Sequence, residues 1–243
     1  MSDKKTFLSY DNFLLMVALL AIFILFSRPP ADVDMWWHLR SGEEMVTSGR
    51  ILLEDIFSYT RGGAVWVNAF WLADIIFYLV YKIGSFFALA GFVALLGLLT
   101  FGVVARQIKL PSMLRMGLLV LAALTASPIW TPRPQLFSFL LLAFLDFWLW
   151  KVKKGERRNF WLLIPLFALW ANLHGGYIWG ILLLIAVLVG ELFNHWLGDA
   201  RQQKNILPLN EIKRLFIFTL LGGMAVLLNP SGVELWRLPF HTV

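Results

Sequence analysis

Asp32 and Asp34, two carboxylates one residue apart, are the groups in this chain best suited to chemistry. They follow Pro29 and Pro30 in SRPPADVDMWWHLRSGEEMVTSG, the first long polar interruption of a very apolar sequence. A carboxylate at a membrane surface can act as a general base or hold a divalent cation beside a phosphate, and paired acids suit either job. A helix cap with a solvated neighbour is the competing reading. His38 falls one turn after Asp34 on the same side of a helix, which puts an imidazole in the same patch. Arg133 lies between the prolines of TPRPQ. Held stiffly there, a guanidinium can bind phosphate oxygens in bidentate fashion rather than simply snorkel to the interface, and Gln135 adds a neutral hydrogen-bonding group. Asn172 and His174, in NLHGG, offer an amide and a second imidazole. Capping, proton transfer and metal ligation are all open to them.

The elements that position these groups follow from proline, glycine and apolar spacing. Pro29 and Pro30 end the first apolar run, and Asp34 then stands where a helix N-cap belongs. Met35, Leu39, Gly42 and Val46 recur on one face, Trp36 and Trp37 suit headgroup depth, and Ser48-Gly49 is the stop. This is a helix lying in the membrane interface. Residues 51–68 lack strong periodicity and read as ordered loop. The apolar run 70–83 is interrupted by Asp74, closed by Lys82, and too short for a span of about 20 residues, which makes it a second surface or re-entrant helix. Spans are expected over 13–26, 86–104, 116–130, 136–150, 160–171, 177–196 and 215–228. Asp146 and Glu191 fall near the other ends of their helices, where Lys151 and Arg201 are the expected partners.

With 243 residues, 59% of them hydrophobic, 12 tryptophans and a mean hydropathy of +0.73, the chain is too apolar for a soluble domain. The net charge of +6 does not point to nucleic acid, because the basic residues come in short clusters between apolar runs and form no stripe interleaved with aromatics. Without cysteine, disulfides and cysteine-based metal or redox chemistry are excluded. Lys4 and Lys5 precede an apolar run with no small-x-small cleavage site, so an uncleaved first span is expected. If 70–83 does not cross, most of the 21 Lys and Arg fall at the N-terminus and in the loops 105–115, 151–158 and 201–214, all on one side. The positive-inside rule makes that side cytoplasmic. DVDMWWH, PRPQ, NLHGG and NPSG then share the outer face, although charge alone set the topology.

The run DVDMWWHLRSGE, followed by DIFSYT, WVNAFWLAD, RPQLFS, WANLHGG and NPSG, resembles a bacterial branch of the GT-C superfamily of membrane glycosyltransferases. The likeness covers nearly the whole chain. It implies an all-α integral membrane fold of about seven transmembrane helices, with a long first outer loop, 27–85, carrying interfacial helices. It also implies that 1–243 is a single transmembrane module forming the N-terminal part of a longer architecture. The activity it implies is transfer of a sugar from a polyprenyl-phosphate carrier to an acceptor at the outer face of a bacterial inner membrane. Asp32 and Asp34 match the superfamily's acidic motif, as base or as ligands of a divalent cation; Arg133 and His174 map on no role of the superfamily. The partners implied are a lipid-linked sugar donor and membrane lipid. A transporter or flippase of lipid-linked sugars is the alternative, and a noncatalytic assembly subunit a further one. A transporter is expected to place charges at mid-membrane depth in broken helices, whereas this chain keeps them at span ends.

Overall fold

The computed structural model describes residues 9–29, 32–156, 158–197 and 206–241, and those residues form helices joined by turns and by one long loop, 49–70. In order these are α1 (Tyr10–Phe26), α2 (Val33–Ser48), α3 (Trp71–Ala105), α4 (Ser112–Ala126), α5 (Gln135–Lys153), α6 (Leu163–Leu173), α7 (Tyr177–Leu197), α8 (Leu209–Ala225) and α9 (Glu234–His241). The sequence-expected loop 51–68 is irregular apart from one antiparallel bridge, Glu54 with Val65.

Four helical stretches are long and apolar enough to cross a membrane: α3, α4 with its 3-10 extension (Ser112–Ile129), α5 and α7. Their outward faces carry large apolar side chains, among them Phe87, Leu121, Leu182 and Val189. A water-soluble surface does not expose so much contiguous hydrocarbon, which is the physical case for a lipid surround. α1 and α8 have 17 residues each, and α6 with its preceding 3-10 turn is shorter still.

Two apolar cores fill the interior. One packs Ile22 and Phe26 of α1 against Val93 and Leu96 of α3, Leu119 and Ala123 of α4, and Trp130. The other packs Leu145 and Leu149 of α5, Phe167 and Trp170 of α6, Leu184 and Leu188 of α7 and Leu215 of α8. α5 contributes to both, with Leu136 and Phe137 in the first.

α3 is not one rod. Gly84 (φ −151°, ψ 27°) and Ser85 (φ 55°, ψ −146°) break it. Phe77 and Phe92 have ring centroids 6.1 Å apart, whereas fifteen residues of straight helix rise about 22 Å. The chain therefore turns sharply, and 71–83 packs back beside the long apolar segment 86–105. The separate helix expected over 70–83 is present, and α2 packs along it. Gly42 makes that crossing possible: a Cβ there would lie 2.2 Å from the backbone oxygen of Asp74.

The turns gather at two ends of the bundle. At one, Asn229 Nδ2 donates to Ala171 O at 2.9 Å, the Asn68 N–H donates to Ser231 Oγ at 3.1 Å, and Trp71 Nε1 donates to Asn172 Oδ1 at 2.6 Å. At the other, Lys153 pairs with Glu191 at 2.7 Å, Arg158 with Glu211 at 3.5 Å, and Lys154 sits over the Trp150 ring at 3.5 Å. The first holds the acids and imidazoles singled out by the sequence; the second holds most of the basic clusters.

Candidate functional site

Asp32, not Asp34, is the N-cap of α2. It has extended backbone (φ −120°, ψ 134°), and its Oδ1 accepts the Asp34 N–H at 2.8 Å. The expected cap is thus displaced by two residues, since the helix already begins at Val33. The inward face is Met35, His38, Leu39, Gly42 and Met45, with Met45 in the place expected for Val46; Gly49, in the left-handed region at φ 68°, ends the helix as expected.

The other oxygen of Asp32 binds Arg133. Nε of Arg133 donates to Asp32 Oδ2 at 2.8 Å, and Nη1 lies 3.0 Å from Asp34 Oδ2. The Asp32 side chain is 7% exposed and that of Asp34 46%. Burial pushes the Asp32 carboxyl up, but Arg133, Thr131 and the Asp34 amide together outweigh burial and hold it below the usual carboxylate range. The guanidinium is delivered by the Thr131–Pro134 turn, in which the Arg133 N–H donates to Thr131 O at 2.6 Å and Arg133 O accepts from Leu136 at the start of α5. Arg133 is therefore not a free phosphate cation. It is shared by two acids, and the three groups together carry a charge of −1 when all are ionised.

Behind this pair, His38 Nδ1 lies 2.7 Å from Asp74 Oδ1, with Asp74 wholly buried. One proton lies between the two atoms. Asp74 Oδ2 is buried with no hydrogen-bond partner among the described residues. Burial lowers His38 to about 3, and the charge of Arg133 adds to that, while Asp32 opposes it. These influences place His38 next to the acid–guanidinium pair as a neutral imidazole.

His174 forms a second fixed imidazole. Trp170 Nε1 donates to Ser138 Oγ at 2.7 Å, Ser138 Oγ is 2.7 Å from His174 Nδ1, and the Gly176 N–H donates to that same nitrogen at 3.0 Å. Nδ1 accepts from an N–H, so the neutral ring carries its proton on Nε2. Burial lowers His174 to about 4, which keeps it neutral near pH 7.

Of the residues singled out by sequence, Asp32, Asp34, Arg133, His38 and His174 come together. Asn172 and Gln135 each make local hydrogen bonds: Asn172 accepts from Trp71 and donates to Ala168 O, and Gln135 Nε2 donates to Ile129 O at 3.2 Å. Asp74, Ser138 and Thr131 are the additions. Only Asp74 left a trace in the sequence, as a lone acid in an apolar run, where a carboxylate is expensive unless it has a task. Glu191 pairs with Lys153; the expected partner Arg201 lies outside the described residues.

A divalent cation does not fit the acids as arranged. Among the described residues no three His, Asp or Glu side chains converge on a point, and both Asp32 and Asp34 face Arg133, whose charge repels a metal ion.

The fold and site together define an all-helical chain of membrane-spanning character with a mixed-charge centre at one end. No family model, curated protein or solved structure matches it.

Proposed function

We propose that this chain is a GT-C-type transferase that moves a sugar from a polyprenyl-phosphate carrier to an acceptor at the outer face of a bacterial inner membrane. In this reading seven helical segments cross, 71–83 stays at the surface, and the basic end is cytoplasmic. The observation that carries the reading is the partly exposed Asp34 carboxylate, set beside a guanidinium that the buried Asp32 holds in place. Asp34 is the acid able to reach an acceptor hydroxyl and take its proton, and Asp32 positions Arg133. His38 and His174, fixed as neutral rings, contribute hydrogen bonds to sugar or phosphate oxygens. No step requires a metal.

A phosphate needs more positive charge than Arg133 alone has to spare. The groove lined by Phe26, Pro29, Val93, Trp130 and Pro132 also holds the exposed Arg28, and it includes Thr131, which bonds Asp32. A prenyl chain lying on the groove's apolar wall would bring its phosphate between Arg28 and Arg133. The Lys and Arg of α4 and α5 lie at the helix ends, and the acids Asp146 and Glu191 lie in the halves of α5 and α7 nearer the basic end, away from the candidate site, which favours this surface chemistry over transport.

The test is binding of polyprenyl phosphate and of the uncharged polyprenol to the protein in nanodiscs, followed by transfer assays with polyprenyl-phosphate sugars. The phosphate form should bind at least ten-fold more tightly, and Arg28→Met should lower that preference. Equal binding of the two lipids would overturn the reading. Orientation is checked separately in this cysteine-free chain: single cysteines at Ser58, Ser127 and Ser231 should react with an impermeant reagent in intact cells, and one at Gly155 should not.

A further inference from the structure

The loop 49–70 builds a second cavity that the transferase chemistry does not use. It measures about 380 Å³ and is lined by Trp37, Asp55, Phe57, Ser58, Arg61 and Trp66, among others, a volume within the range of small-molecule sites. Its walls are aromatic: Trp66 lies 6.0 Å from Trp37 and 6.2 Å from Phe57, centroid to centroid, the latter edge-on. Its rim is polar and charged, supplied by Asp55, Ser58 and Arg61.

The loop is held in shape before any ligand arrives. Asp55 Oδ1 accepts the N–H groups of Phe57 at 3.0 Å and Ser58 at 2.9 Å. The Asp55 N–H donates to Ala64 O and the Trp66 N–H to Leu53 O, each at 2.8 Å, around the Glu54–Val65 bridge. Hydrogen bonds from the Ser58 side chain and from the Ser58 and Phe57 amides hold the Asp55 carboxyl below the usual range, so the rim carries an ionised acceptor beside the Arg61 donor.

We infer that this cavity binds a single sugar ring, with its C–H face on Trp66 and Trp37 and its hydroxyls on Asp55 and Arg61. A pyranose has the two-sided character that such a lining matches: an apolar ring face and a belt of hydroxyls that both accept and donate. A lipid tail would make no use of the Arg61 donors or of the remaining acceptor capacity of Asp55, and a simple anion would leave the aromatic walls unused. Position adds to the chemistry. The Trp37 ring lies against His38, centroids 3.7 Å apart, so one indole separates the cavity from the His38–Asp74 pair. The inference rests on the transferase reading for the sugar's purpose, as the subsite that holds the acceptor's or donor's sugar beside the reactive groups. The binding itself is a separate physical claim.

The experiment is saturation-transfer NMR on the full chain in nanodiscs, with the methyl glycosides of glucose, mannose, galactose and N-acetylglucosamine as probes and empty nanodiscs as the blank. At least one glycoside should receive saturation on its ring C–H protons, and Trp66→Leu and Arg61→Ala should each reduce that signal ten-fold or more. Arg61 is exposed, so its variant reads binding without a risk to folding; the melting temperature checks Trp66→Leu. No saturation above the blank, or saturation unchanged in both variants, overturns the inference. Polyprenyl phosphate binding separates the two claims. If the lipid phosphate binds and no glycoside does, the subsite falls and the transferase reading stands; if a glycoside binds through Trp66 and Arg61 while the lipid phosphate does not, the reverse holds.

Discussion

The two ends of the bundle treat buried acids in opposite ways. At the basic end, Glu191 is 1% exposed and receives both Lys153 and the Leu207 N–H, at 2.7 Å each; Glu211, 3% exposed, lies 3.4–3.5 Å from Arg158 and Arg214. Each acid is matched or exceeded by cations whose long stems reach it from the surface. At the acidic end one guanidinium serves two carboxylates, and the wholly buried Asp74 has only an imidazole. Neutralised acids clamp helices together, whereas under-neutralised acids with a fixed neighbour are what a reaction can use.

The sharpest way to test that contrast is Asp34→Asn. An amide cannot take a proton, so transfer should fall by about 10²-fold or more with an unchanged melting temperature. Asp32→Asn should keep the cap but release Arg133, and so lower activity and stability together. Full activity in Asp34→Asn would move the base to His38. Next in size is Arg133→Met, which should weaken polyprenyl phosphate binding by roughly 2–5 kcal/mol, with Arg133→Lys between it and wild type, as read by donor titration. At the other end, Glu191→Gln should lower unfolding stability by about 1–2 kcal/mol, discounted because Lys153 is half exposed, and leave lipid phosphate affinity unchanged. A change in affinity there would erase the distinction between the ends.

Acid provides a smaller test. His38 and His174 are depressed to about 3 and about 4 in the folded chain, while unfolded histidine titrates near 6.5. Between those values the unfolded state binds more protons, so the stability these rings contribute is complete above about pH 6.5 and is lost as pH falls toward 4. The melting temperature should drop over that window, and His174→Gln should flatten the drop. The smallest expected effect is that of EDTA, which should leave transfer unchanged, because Arg133 occupies the space between the acids.

The helix 33–48, its glycine stop, the loop after it and the break near 84 were all legible in the sequence, because proline, glycine and apolar spacing act locally. So was the meeting of DVD, PRPQ, NLHGG and NPSG at one end, which charge and span counting dictate. Pairings between distant residues were not legible. Arg133 reads as a free phosphate ligand until Asp32, 101 residues away, is seen to hold it, and Asp74 reads as an interruption until the close crossing at Gly42 brings it to His38. Asn172 and Gln135 have side chains that suit a ligand equally well, and only the structure shows that each makes local hydrogen bonds, Asn172 with Trp71 and Ala168 and Gln135 with Ile129.

In the proposed topology, Gly84 and Ser85 also limit the length of one crossing. Were residues 71–105 to straighten, they would form a rod about 52 Å long, far more than the roughly 30 Å of hydrocarbon in a bilayer. Such a rod would still cross once and leave every later loop on its own side; only a separate crossing by 71–83 would exchange them and carry KVKKGERR through the bilayer. Ser85 at φ 55° sits where a side chain is strained. The packing of 71–83 against α2 and against 86–105 holds the reversal against that strain, and in the proposed topology it keeps 71–83 out of the crossing.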